Sequence, residues 1–362
     1  MAERKGYGRV SVLTTSPETV LDDYGKVMRL AKYKQHVNKK RDTLLKLNLS
    51  WSLYFPACST QPWLLEGVVK SMQEDGYKKI YPVEHRTVVT DVWKGAKDNR
   101  WLPVLDKYHL QLQALTDVEW IDFKPKAELL ALDKVFTQGH KIPKSFPGKN
   151  VIHLPTLKTH GHTTITGAIK NSFGGLITER RHHCHKMIHE VLVDLLQIQQ
   201  EIHPGIFAVM DGTVAGKGKG PRTMIPTEAN LLLASADQVA IDAIAAKIMG
   251  FDPLKIPFIK MCHDRGLGCG DPGQIDIIGD DIAEKNLRFT TGKSPVIFFD
   301  QLFRKGMFSF VEPLLFHTGL FKLCVLGCAG YHDYVWYPMI GRSRIRRFKK
   351  TKWGQLFKNY DR

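Results

Sequence analysis

Between His153 and Gly175 the sequence HLPTLKTHGHTTITGAIKNSFGG carries Lys158, His160, His162, Lys170 and Asn171 on a stretch punctuated by Gly161, Gly167, Gly174 and Gly175. Lysines neutralise an anion and glycines let backbone N–H groups approach it, so these residues at this spacing suit a phosphate or a carboxylate. The stretch does not match the Walker pattern, and a polar loop with a helix cap accounts for the same residues. A second stretch, DGTVAGKGKGPR at 211–222, begins with Asp211 and interleaves Gly212, Gly216, Gly218 and Gly220 with Lys217, Lys219 and Arg222. It reads as a flexible basic loop able to close over an anion, or equally as a mobile surface loop.

Histidine points to a different chemistry. Eight of the fifteen histidines fall between His153 and His203. A helix through HHCHKMIH would put His185 and His189 one turn apart on one face, where His160, His162 or Asp211 could complete a transition-metal shell. A solvated helix start whose histidines share no role explains the same pattern. Cys184 is an available soft ligand that reads more simply as packed, and Cys262, His263 and Cys269 have poor zinc spacing. Asp237 and Asp242 open a later helix, the first suited to its N-terminus.

The scaffold for these residues is visible as alternation. Apolar runs of strand length occur at 43–50, 78–85, 118–123, 150–154, 205–210, 230–235 and 275–279, separated by helical patterns near 62–72, 101–115, 185–201 and 236–249. Such alternation predicts an α/β fold, a largely parallel sheet with helices on both faces. Ligands of such sheets bind outside the carboxyl ends of the strands. That rule selects Asn48, Glu84 and His85, then Lys158 to His162, then Asp211 and Gly212.

The chain has 362 residues and a formal net charge of +16, concentrated at its ends. Residues 341–362 hold nine Lys/Arg against Asp361, and residues 1–42 hold ten against five acids. The expected organisation is a basic arm or helix at 1–42, an α/β core at 43–290, an apolar aromatic extension packed on that core at 291–340, and a basic tail at 341–362. Six scattered cysteines give no disulfide frame, and the first residues lack a signal-peptide pattern. Cytoplasmic residence is the expectation, with peripheral membrane contact through 294–362 as a second possibility, since aromatics beside Lys/Arg suit an anionic lipid surface. Nucleic acid is disfavoured because no recognition motif accompanies the charge.

In their order and spacing, LPTLKTH, ITGAIKNSFGG, the later histidines, VMDGTVAGKGKGP and LLLASADQVAIDAIAAKIMG resemble the domain of unknown function 362 family over about residues 43–280. The resemblance implies emphasis on Lys158, His160, Thr166, Lys170, Asn171 and Gly174, then Asp211, Gly212, Gly220 and Pro221, then Asp237 and Asp242. Many relatives carry ferredoxin-like cysteine runs; this chain has none, so no iron–sulfur cluster is expected within it. Lys217 and Lys219 replace an acid and an amide of the pattern, which argues for an anion at that loop.

The leading expectation is an enzyme acting on a small anionic substrate at 155–175 and 211–222. His160, Lys170 and Asp211 would be its catalytic groups, and Asn48, Lys158, Thr166, Asn171, Gly174, Gly212 and Gly220 its substrate contacts. One alternative is a metal or redox protein whose His160, His162, His185 and His189 gather a divalent ion. The other is a non-catalytic protein bound at a membrane surface.

Overall fold

The computed structural model describes residues 7–361. Its strands, in chain order, are β1 (Arg9–Thr14), β2 (Thr43–Lys46), β3 (Ile80–Glu84), β4 (Gln113–Ala114), β5 (Trp120–Phe123), β6 (His140–Pro143), β7 (Asn150–His153), β8 (Thr156–His160), β9 (Thr164–Ile165), β10 (Ile206–Lys219), β11 (Thr223–Ser235) and β12 (Asp276–Gly279). Ten of them form one mixed sheet in the order β12-β1-β11-β10-β7-β2-β3-β4, with β8 attached to β10 and β9 to β8, while β5 and β6 pair separately. The pairs joining β4, β3, β2, β7 and β10 are all parallel, and β11 runs antiparallel between β10 and β1. The fold is therefore α/β on a mostly parallel sheet.

Side-chain alternation along these strands divides the core in two. Leu44, Val151, Ala208 and Met210 join one cluster with Val191, Leu192 and Leu195 of the helix Ile188–Ile202 and with the small residues of Gln238–Met249. Leu45, Ile152, Phe207 and Val209 join the other, with Val20, Tyr24 and Val27 of the helix Val20–Leu30 and Trp63, Leu64 and Val68 of Pro62–Glu74. Strands buried on both sides carry adjacent apolar residues at their centres, here Leu44–Leu45 and Val151–Ile152.

Two sequence expectations change here, and the position of the basic tail becomes specific. Residues 9–14 are an interior strand between β11 and β12, so the segment 1–42, expected as a basic arm or a helix, contributes a strand to the sheet as well as the helix Val20–Leu30; residues 1–6 lie outside the described residues. The glycine stretch 211–222 is not a flexible loop. Its residues from Val214 to Lys219 pair with Glu228 back to Thr223, leaving a turn only at 220–222, because a ladder needs backbone groups and no side chains. Gly220 is required there, since a Cβ would lie 1.9 Å from the Thr159 carbonyl oxygen. Finally, the basic tail is docked: Phe348, Trp353, Phe357 and Tyr360 are buried in the second cluster, and Trp353 donates its indole N–H to Asn230 at 2.7 Å.

Candidate functional site

A cavity of about 590 Å³ opens where the parallel strands end. Lys46 and Glu84, last residues of β2 and β3, meet at its base at 2.9 Å with both side chains only 2% exposed. A charge pair this deeply buried survives only when its remaining hydrogen bonds are met. Lys46 Nζ also donates to the Leu47 carbonyl at 2.5 Å, and Glu84 Oε1 accepts from the His85 amide at 2.8 Å.

The next wall is the short helix Gly167–Asn171. The buried carboxylate of Asp242 accepts from the amides of Ala168 at 2.5 Å and Ile169 at 3.0 Å, which anchors the helix start. Gly167 has φ +75, and a Cβ there would sit 2.3 Å from Asp242 Oδ1, so only glycine allows this approach. The anchored helix presents Asn171, which donates to the Lys46 carbonyl at 2.9 Å, and Lys170. The Lys170 ammonium lies 5.3 Å from the Phe173 ring and has no carboxylate partner among the described residues. Burial, and then the charge of Arg181, push it down to about 8. Arg181 donates to the carbonyls of Arg86 and Gly174 at 2.9 and 3.4 Å.

His160 and His162 follow β8 into the same wall. The His162 amide donates to His160 Nδ1 at 3.1 Å, and burial with the nearby Lys170 charge holds His160 well below its ordinary value. A neutral imidazole that accepts at Nδ1 carries its proton on Nε2, so His160 offers the cavity a hydrogen-bond donor.

The opposite wall comes from residues 294–332. Ser294 caps the helix Pro295–Arg304, and Ile297, Phe299 and Phe303 of that helix line the cavity with Leu315, Phe316 and Phe321. Arg304 fixes this wall: it is buried, stacks 3.6 Å from the centre of the Phe316 ring, and pairs with Asp300 at 2.9 Å and Glu312 at 3.6 Å. The cavity thus has a cationic floor and an apolar roof. A wider groove of about 1110 Å³ shares Thr87, Val88, Val89, His182 and Phe321 with it and forms its mouth.

Of the residues singled out from sequence, Asn48, Glu84, His160, His162, Lys170, Asn171, Gly174, His185, Lys219, Gly220, Pro221 and Arg222 line this cavity. Lys158 does not. Its ammonium is saturated by Asn48 Oδ1 at 2.5 Å, Thr156 Oγ1 at 2.6 Å and the Cys58 carbonyl at 2.8 Å, one acceptor per proton. Burial pushes it down to about 7. Thr166 bonds back onto the carbonyls of Thr156 and Lys158, and Gly212 is enclosed in the β10–β11 ladder. Asp211 lies on the opposite side of β10, where its carboxylate accepts from the Thr213 amide at 2.7 Å beside Tyr24 and Trp63. It touches neither His160 nor a metal position.

The expected four-histidine cluster also separates. The α-helix begins at Ile188, and residues 179–187 are wound as a 3₁₀ helix, so the one-turn spacing of His185 and His189 is lost. His189 packs against Phe258 with ring centres 6.0 Å apart, whereas His185 stacks on His162 at 4.7 Å. Sequence reasoning missed Lys46, Arg181, Asp300 and Arg304. A lysine inside the apolar run TLLKLNLS was a usable signal, because a lysine in a buried strand needs a partner.

The family model described as domain of unknown function (DUF362) matches residues 43–247. Those residues contain the whole cationic floor, while the roof lies beyond them. The thylakoid-associated protein sll1697 of Synechocystis sp. is 29% identical over 215 residues, covering 58% of this chain and 63% of that protein. The match therefore spans less than two thirds of that relative's length. No solved structure matches the chain. With the motif residues of the floor in one continuous match across more than half its length, the chain belongs to the domain of unknown function 362 family.

Proposed function

We propose that the protein binds, and acts on, a molecule with a phosphate or carboxylate head and an apolar body. The observation that carries this is the two-sided cavity: Lys170, without a carboxylate partner among the described residues, Arg181 and the Nε2–H of His160 on one side, Ile297, Phe303 and Phe316 on the other. A charged group entering such a cavity loses water and must find donors, and the floor offers charge-assisted ones. The apolar body then removes the roof side chains from water. Lys170 and His160 are the groups placed to move a proton at the head; Asp211 has no part in it.

The test is a chain-length series of n-alkyl phosphates measured by calorimetry. Each buried methylene contributes about 0.8 kcal/mol, so affinity should rise about fourfold per carbon until the chain fills the roof. Phe303→Ala should flatten that slope and leave inorganic phosphate binding unchanged. A flat series in the wild-type protein refutes the apolar half of the reading, and phosphate affinity indifferent to Lys170→Met refutes the anionic half.

A second observation supports docking on an anionic bilayer. Among the described residues, thirteen of the seventeen exposed large apolar side chains fall between Phe298 and Ile340, with Met307, Phe310 and Tyr334 at least three-quarters exposed. Solvent-facing apolar surface of this extent marks an interaction site. Arg342, Arg346, Arg347 and Lys350 stand beside it, mostly exposed, and each basic residue near an anionic surface adds about 1 kcal/mol. No single helix is long and apolar enough to cross a membrane, although Ser309–His317 and Phe321–Phe348 together form a pair bent by 88° of suitable length and composition. The protein should co-sediment with phosphatidylserine vesicles more than with phosphatidylcholine ones, and Phe310→Asp with Leu326→Asp should abolish this. Self-association of the wild type in their absence, removed by the same changes, would assign the face to a second copy instead.

A further inference from the structure

We infer that His162, His185 and Asp300 form a binding site for one divalent transition-metal ion in the cavity wall. Their candidate ligand atoms all lie within 4.8 Å of one another. Asp300 Oδ2 is 3.7 Å from His162 Nε2 and 3.6 Å from His185 Nδ1. These separations are too long for hydrogen bonds. They are close to the roughly 3.4 Å that separates ligand atoms held about 2.1 Å from a common tetrahedral zinc.

Two of the three atoms are otherwise unexplained. Asp300 Oδ2 and His185 Nδ1 are buried side-chain atoms without a hydrogen-bond partner, and native structures seldom leave such lone pairs unused. The atoms around them are arranged as outer support. Arg304 Nε donates to Asp300 Oδ1 at 2.9 Å, which turns Oδ2 toward the histidines. Stacking fixes the two imidazole rings at 4.7 Å. The Gln301 side-chain amide, which donates to the Gly161 carbonyl at 3.1 Å, lies 3.4 Å from His162 Nδ1 and buttresses that ring from its other side. Two histidines and one carboxylate leave at least one position open, and the three residues line the cavity proposed to hold the anionic head. The ligand set crosses from floor to roof, since Asp300 comes from the helix Pro295–Arg304.

The inference does not depend on anion binding and is tested with metal alone. Full-length protein freed of metal by chelation is titrated with Zn²⁺ by calorimetry, and with Co²⁺ by visible absorption. One equivalent should bind, with Co²⁺ giving the intense bands of a four- or five-coordinate site. Asp300→Asn and His185→Gln should each weaken binding at least a hundredfold while retaining the wild-type circular dichroism. His109→Gln, exposed and outside the cavity lining, should bind as the wild type does. Absence of a one-to-one site in the wild type would overturn the inference, as would Zn²⁺ affinity unchanged by Asp300→Asn or lost in His109→Gln. If Asp300→Asn unfolds, His162→Gln and His185→Gln decide by the same criterion. Phosphate binding by metal-free protein is scored separately, so failure of either reading is recognisable without the other.

Discussion

Raising the pH through the range where Lys170 loses its proton should switch off anion binding. Lys170 lines the cavity without a carboxylate partner among the described residues, and burial beside Arg181 pushes it down to about 8. Below that pH the ammonium is present and affinity for an alkyl phosphate should be flat. Above it, binding must first reload the proton, so affinity falls by up to tenfold per pH unit. One charge-assisted hydrogen bond contributes about 1.5–3 kcal/mol, equivalent to roughly 10–150-fold in Kd. Between pH 7.5 and 9.5 the loss should therefore be about tenfold. A phosphate monoester is fully ionised across this range, its second pKa being about 6, so the ligand adds no slope. Lys170→Arg keeps its charge throughout and should show no decline to pH 9.5. Lys170→Met should be weak at pH 7 and equally flat. Lys46, locked to Glu84, is common to all three proteins. A slope that persists in Lys170→Arg, or wild-type affinity at pH 7 in Lys170→Met, would refute the assignment of Lys170 to the anion.

Gly167→Ala should destabilise the protein by about 2–5 kcal/mol in urea unfolding, combining a left-handed backbone with overlap on Asp242; a change under about 1 kcal/mol would count against the anchored-helix account. Asp211 is fully buried and pushed up to about 6, above its unfolded value of about 3.9. The folded state then holds the extra proton, so stability falls as pH rises from about 4 to 6 and stays lower beyond. Asp211→Asn should raise stability at pH 8 by up to about 3 kcal/mol, with the gain vanishing near pH 4 and anion affinity unaltered. Lys158→Met leaves three buried acceptors without a donor and should cost at least about 2 kcal/mol, while changing affinity far less than Lys170→Met does; equal loss of affinity in the two would return Lys158 to the binding site.

The parallel strands were legible because burial on both sides puts adjacent apolar residues at their centres, as in Val151–Ile152. Their carboxyl ends in turn located Asn48 and His160 in the cavity wall. The glycine-rich stretch was misleading because glycines signal close approach as well as flexibility. Here Gly220 passes against the Thr159 carbonyl inside a rigid hairpin. Lys158, expected in a loop after the strand 150–154, lies on β8 and holds its own neighbours instead of a ligand. Spacing shows where a lysine projects, and not whether Asn48, Thr156 and Cys58 have already taken its protons. The pairing of His185 with His162 depends on where the 3₁₀ winding gives way to the α-helix at Ile188, a one-turn matter that periodicity does not resolve. Asp300 carried no local signal, because its meaning arises only when a helix more than a hundred residues downstream of His185 closes over the floor.

That closure bears on the strength of the floor as well as on the ligand's shape. Two unit charges 4 Å apart attract by about 1 kcal/mol in bulk water and about 4 kcal/mol at the effective dielectric of a protein surface. Lys170 and Arg181 under an open sheet edge would hold an anion weakly. Under Ile297, Phe303 and Phe316 the same charges act with water displaced. The floor belongs to the family-matched residues and the roof lies beyond them. On the proposed reading the floor would select an anionic head, while the roof would set how tightly it is held and which body accompanies it. Because the inner side of the roof lines the cavity while much of its outer side exposes Met307, Phe310 and Leu326, the proposed amphipathic ligand, leaving a bilayer, would pass from lipid to floor without its apolar part crossing water.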